Sequence, residues 1–228
     1  MAVTAKLQFR AFTKMMKHPS TIAIFSEWQR LAFAMNGNLQ APQRASLSPR
    51  RLGRHLSELF LLEIDQPCEP VFRLAGTQIC KVFGRELRAK AFLSLWPDQH
   101  HMALKEMIGN VNQLLIPTLS HHSAISFAGR RLSFEMMLAP LAASSEQKIN
   151  MLGSLSILDE VSWVGSDPLL LADLQTIMPL SPDLTIRPNN KPIPPALRVN
   201  ARSQTAPNKT ILGRSEKPRL KLISGGKI

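Results

Sequence analysis

The sequence predicts an α+β domain in which a five-stranded antiparallel sheet carries helices on one face, with a helix before it and a disordered basic tail after it. Three observations lead there. Two short apolar runs are followed by glycine-bounded short segments and one long amphipathic segment, and then by three further strand-like runs. From Leu180 the composition turns to Pro, Asn, Lys, Arg and Ser, including Pro192-Ile-Pro-Pro195, with too few apolar residues to build a core. At 228 residues and 44% hydrophobic content, the chain has material for one domain plus extensions. The expected division is 1–19 as a basic amphipathic segment, 20–178 as the domain and 179–228 as the Pro-rich tail.

At ~100° per residue, Lys6, Arg10, Lys14 and Lys17 fall together and Leu7, Phe9, Phe12, Met15 and Met16 fall elsewhere. This segment is either a basic amphipathic helix or a loosely ordered start. Ser20 then precedes a helix over residues 21–35 with Ile24, Trp28, Leu31 and Met35 on one face and Gly37 to stop it. A polar connection leads to Ser48-Pro49, a cap followed by proline at the first helical position, opening a short basic helix through Arg54. Residues 59–65 form the first strand, Gln66-Pro67 its turn and residues 71–74 the second strand. A short helix over 76–83 ends at Gly84, and 91–96 is a turn-rich segment stopped by Pro97. Asp98 caps a helix over 99–115 with Met102, Met107, Ile108, Val111 and Leu115 at helical spacing, ended by Pro117. Strands follow over 118–127, 132–141 and 150–158, with Gly129 in the turn between the first two.

The formal net charge of +12 is uneven. Residues 1–55 hold nine Lys or Arg against Glu27 alone, a net +8; residues 56–179 hold nine against thirteen acids, a net −4; the remainder holds ten against Asp183 and Glu216, a net +8. A domain built to grip a phosphate backbone carries its cations on the folded surface, so nucleic acid or an anionic membrane is an expectation for the flanks only. Cys68 and Cys80 have no metal-ligand or disulfide-framework spacing and read as reduced thiols. With no run of ~18–20 apolar residues and no secretory leader, the expected location is the cytoplasm.

Val71-Phe-Arg-Leu-Ala-Gly-Thr-Gln-Ile-Cys-Lys-Val-Phe-Gly-Arg-Glu-Leu and the following Phe92-Leu-Ser-Leu-Trp96 resemble the core of a PAS-domain family found in many alphaproteobacterial proteins. Ala41 to Pro49, Leu59 to Ile64 and Ser162-Trp-Val-Gly165 are similar to its entry, first strand and closing segment, so the resemblance spans roughly residues 20–175. It implies a non-catalytic sensory or scaffolding domain that binds a ligand between sheet and helices or transmits contacts between proteins. No catalytic residue carries over.

The residues expected around the central cavity are Phe72, Leu74, Ile79, Cys80, Phe83, Phe92, Trp96, Phe134 and Met136, which equally suit a plain core. Cys80 lies where a flavin adduct would form, but Gln78-Ile-Cys-Lys81 is unlike a photoactive cysteine site. His100 or His101 would be the iron ligand of a haem reading, although adjacent residues face different sides of a helix. His121 and His122 alternate on a strand, and one of them faces inward. Arg50-Arg-Leu-Gly-Arg54 has the spacing of a cyclic-dinucleotide clamp, but Ala124 stands where the companion motif needs Asp or Asn, leaving a solvated basic helix. No phosphate loop, paired carboxylates or nucleophile–base set is present. No cofactor or metal is therefore expected, with haem and flavin as open alternatives. The expected function is regulation through contacts with a second copy or a signalling protein, with Ile24, Trp28, Leu31 and Met35 as interface residues. The alternative is a basic-tailed binder whose domain only dimerises.

Overall fold

The computed structural model describes residues 15–33, 40–65, 69–145, 148–180 and 197–198. The helix expected over 21–35 is α1, Pro19–Ala32. It starts two residues early because Pro19 takes the first helical position and the His18 side chain accepts the Ser20 N–H. Helix α2, Pro49–Leu52, runs into a 3-10 turn over Gly53–Glu58. Then come β1, Leu59–Asp65; β2, Val71–Ala75; and α3, Thr77–Phe83, closed by Gly84 at φ 62°. A Cβ at Gly84 would strike the Pro168 ring, so the left-handed cap and the close approach both require glycine there. A 3-10 turn over Phe92–Leu95 leads to α4, Asp98–Leu114, in which Asp98 sits in the first turn instead of capping. Strands β3, Thr118–Ser126; β4, Arg131–Ser145; and β5, Lys148–Ile157, follow.

The five expected strands form one antiparallel sheet, and two more join it: β6, Leu169–Pro179, and β7, Leu197–Arg198, giving the order β2-β1-β5-β4-β3-β6-β7. Strand β6 pairs with β3 along nearly its whole length, with register shifts that leave Leu170 and Gln175 as bulged residues. At the opposite rim, Phe72 donates to Lys90 O at 3.0 Å and accepts from Ala89 N at 2.7 Å, so residues 89–92 strap part of β2.

Alternation along the strands gives the sheet two apolar faces. Phe60, Leu62, Phe72, Phe134, Met136 and Leu155 pack under α3, the 92–95 turn and α4. Leu59, Leu61, Leu119, Met137, Ala139 and Leu152 pack under Ile24, Phe25 and Trp28 of α1. Helices therefore cover both faces. Each large side chain buried in this way contributes about 1.5–3 kcal/mol. Gly153 permits the closest approach: a Cβ there would enter the Phe60 ring.

Of the tail expected to be disordered, Pro179 closes β6, Leu180 is buried and residues 197–198 pair with β6. The rest of it, most of the 6–17 segment, Met35, Gly37, the Gln66-Pro67 turn and Cys68 lie outside the described residues. Among the described residues, no helix is long and apolar enough to cross a membrane.

Candidate functional site

The space between the sheet and its helices is lined by a ladder of aromatic rings. Phe72 to Phe92 (5.5 Å between centroids), Phe60 to Phe92 (6.0 Å), Phe92 to Trp96 (4.7 Å), Trp96 to His122 (5.5 Å) and His122 to Phe134 (4.7 Å, nearly parallel) are all neighbour-contact distances. Phe72, Ile79, Phe83, Phe92, Trp96, Phe134 and Met136 are all buried in this one core, as the sequence reading grouped them, and Cys80 packs half-buried on its margin. Leu74 is the exception, 41% exposed. A register shift between Leu61 and Leu62 of β1 breaks the alternation of β2 and turns Leu74 away from Phe72.

The inward histidine is His122, 1% exposed at the centre of the ladder. Trp96 Nε1 donates to its Nδ1 at 3.1 Å. With Nδ1 accepting, the neutral ring carries its proton on Nε2, 2.8 Å from Ser120 Oγ, and that hydroxyl donates to Met136 O at 3.3 Å. The neutral ring thus pairs both of its nitrogens, with the Trp96 indole N–H on one side and the Ser120 hydroxyl on the other. Burial, followed by the nearby His121 and His100, lowers the His122 pKa to about 3, and protonation would also set a donor against the indole N–H.

His100 and His101 do not share a role. His100 is buried, with Nε2 3.2 Å from Asp173 Oδ1 of β6, and it ties α4 to the added strand. His101 Nε2 lies 2.9 Å from Trp96 O. Both Nε2 atoms are thus engaged within the chain. Burial, the first cause, and Glu86 raise the Cys80 thiol pKa; Sγ lies 3.7 Å from Glu86 Oε1. Among the described residues no group of three His, Cys, Asp or Glu side chains is placed to hold a metal.

The opposite face carries a second constellation, which the sequence reading did not identify. Glu135 of β4 has no exposed surface. Its carboxylate accepts the backbone N–H of Lys17 at 2.9 Å and of His18 at 2.7 Å, with His121 Nε2 3.8 Å away. Burial pushes its pKa up, and His121, these two N–H groups and Thr21 outweigh that and hold it below the usual value. Beside it, His18 Nδ1 lies 3.3 Å from Glu58 Oε2, Ser156 donates to Glu58, and Ser20 Oγ is 2.9 Å from His55 Nδ1. The start of α1 is therefore clasped to the sheet by polar groups while its middle is held by apolar ones.

This changes the place of the expected interface residues. Ile24 (0% exposed) and Trp28 (2%) face the chain's own sheet, and Trp28 Nε1 donates to Pro140 O at 2.7 Å. Leu31 is half-buried, and Met35 lies outside the described residues. The apolar stripe of α1 packs on β4 and β5 of the same molecule. Arg50 and Arg54 are exposed, as a solvated basic helix requires.

A family model described as "PAS domain" matches residues 16–156, which take in α1, α2, α3 and α4 and the strands up to the last residue but one of β5. A search of curated proteins gave no match. Similar solved structures include a fungal LOV-domain photoreceptor (16% identity, 61% of this chain and 94% of that one, TM-score 0.39) and the Rhodobacter sphaeroides LOV protein (15%, 46% and 61%, 0.38). The PAS-B domain of Drosophila melanogaster Cycle, solved with glycerol bound, is similar over 43% of this chain and 99% of that one (12% identity, TM-score 0.34).

Proposed function

The chain belongs to the PAS-domain family, and on that premise we propose that it is a non-catalytic sensory or regulatory protein that works through protein–protein contacts, gated by the state of its interior. The observation that carries this reading is the two-sided use of β3 and β4. His122, Phe134 and Met136 point into the ladder, while on the other face their immediate neighbour Glu135, with His121 beside it, holds the start of α1. A shift of either strand that repacks the ladder also loads the clasp. If α1 lifts, the apolar face of Leu59, Leu61, Met137 and Leu152 becomes available to a second copy or a signalling protein. A cytoplasmic location and the alphaproteobacterial branch of the family belong to the same proposal, the latter supported by the order of the Val71–Trp96 motifs.

The test compares the full chain with Glu135→Gln by light scattering and partner pull-down at micromolar concentration. Loosening the clasp should raise self-association or partner capture several-fold. If both proteins remain monomeric and neither retains a partner, contact-based regulation is refuted. A visible spectrum of freshly purified protein tests the gating ligand: a flavin or Soret band would place the ligand among the coloured cofactors.

The flanking charge supports a second reading, in which the tail binds nucleic acid or anionic membrane and the domain dimerises. Removing residues 181–228 separates the two. Only the second reading requires salt-sensitive affinity for DNA or acidic vesicles to vanish with that deletion.

A further inference from the structure

Two adjoining depressions run across the outer surface of β1 and β2. One, of about 650 Å³, is bounded by Gln43, Arg44, Leu47, Arg73 and Asn150 with Ala142 and Ala143 at its base. The other, of about 500 Å³, continues along β2 past Leu74 and Ala75 to Glu86 and Arg88. Arg44, Glu63 and Arg73 belong to both.

The charges in this groove are unevenly committed. Glu63 receives Arg73 Nη1 and Lys148 Nζ, each at 3.0 Å, and these cations, Lys148 first, hold its pKa down. The carboxylate is therefore ionised and compensated twice over, and it fixes Arg73 by one nitrogen while the side chain stays half-exposed. Glu86 takes the Arg88 backbone N–H at 2.9 Å, and the Arg88 guanidinium makes no ion pair among the described residues. Arg44 makes no ion pair among the described residues. Three cations, Arg44, Arg73 and Arg88, thus line the groove with two carboxylates, and Lys148, which lines neither depression, offsets Glu63 from beside it.

We propose that this groove binds a small molecule carrying two acidic groups, of the phosphate-ester or polycarboxylate class, with one group between Arg44 and Arg73 and the other toward Arg88. Guanidinium forks match both groups bidentately. Cations without an ion pair among the described residues at both ends, Arg44 and Arg88, favour two charged groups over a single monoanion. This assignment does not depend on the regulatory reading, because the cations it uses belong to neither the ring ladder nor the α1 clasp, although Phe72 of the ladder lines part of the second depression.

The experiment is titration of the full chain with pyrophosphate and, separately, with citrate, followed by calorimetry or backbone amide shifts at low and at 0.3 M salt. Arg44→Gln combined with Arg88→Gln is the test variant, and Arg131→Gln, outside both depressions, is the control. At least one probe should bind with a Kd on the order of 1 mM or below, weaken with salt and lose about tenfold or more in the double variant, with the control unchanged. Which probe binds decides between the phosphate and carboxylate sources. Absence of binding by both, an equal loss in the control, or a double variant within twofold of wild type overturns the assignment.

Discussion

The Trp96 indole N–H points at His122 Nδ1 across 3.1 Å inside the core, so the most buried titratable ring among the described residues is held neutral by a donor as well as by its burial. The contact joins residues 26 apart in sequence, the end of a 3-10 turn and the middle of a strand. It also fixes the tautomer of the ring.

Stability should therefore fall on mild acidification. The folded pKa of His122 lies below that of the unfolded chain, so the unfolded state binds the extra proton. Stability is fully present above about pH 6.5 and is lost as pH falls toward 3. By pH 5 the loss is about 2 kcal/mol from this ring alone. Urea unfolding at pH 7.5 and pH 5 measures it. His122→Phe should be less stable at pH 7.5, because Trp96 Nε1 and Ser120 Oγ lose their partner, and should show a much smaller change between the two pH values.

Glu135 supplies a second, more acidic window. Its folded pKa is lowered, so its contribution is present above about 4.5 and disappears as pH falls below that value. Glu135→Ala leaves two backbone N–H groups without their acceptor and should cost about 2–4 kcal/mol. Hydrogen exchange resolves the location of the effect: amides of residues 17–32 should exchange faster, while those of α4 keep their protection.

Much of this was readable in the residues, and the parts that were not have physical reasons. Strands β1 to β5 and helix α4 follow from two plain periodicities punctuated by Gly84, Pro97 and Pro117. Strand β6 was not read because bulged Leu170 and Gln175 break its alternation, so Leu169 to Met178 resembles an unpatterned apolar run. Glu135 escaped notice because alternation placed a charged residue on the solvent side, and only α1, more than a hundred residues earlier, makes that side an interior. Of the residues expected around the cavity, all but Cys80 and Leu74 share one buried core; Cys80 lies at its margin, and a one-residue bulge reverses the direction of Leu74.

Trp28 anchors α1, and Trp28→Ala should cost about 3–5 kcal/mol. Trp28→Phe, which retains a ring but leaves Pro140 O without its donor, should cost about 1–3 kcal/mol. Thermal unfolding of the two variants separates packing from the hydrogen bond.

Gly153→Ala tests how closely β1 and β5 meet. The added methyl would enter the Phe60 ring, and displacing that ring disturbs Phe72 and Phe92 together. A loss of about 1–3 kcal/mol in urea unfolding is expected.

The rims of the sheet determine how molecules can meet in concentrated solution. On one side residues 89–92 occupy β2, and on the other β6 lies over β3, itself bent by two bulges and met by only a two-residue strand. An open, straight rim is the template on which foreign chains stack into fibrils. Here each rim is partly occupied or kinked, which works against edge-to-edge stacking, and partial unfolding of β6 would expose the β3 edge to it.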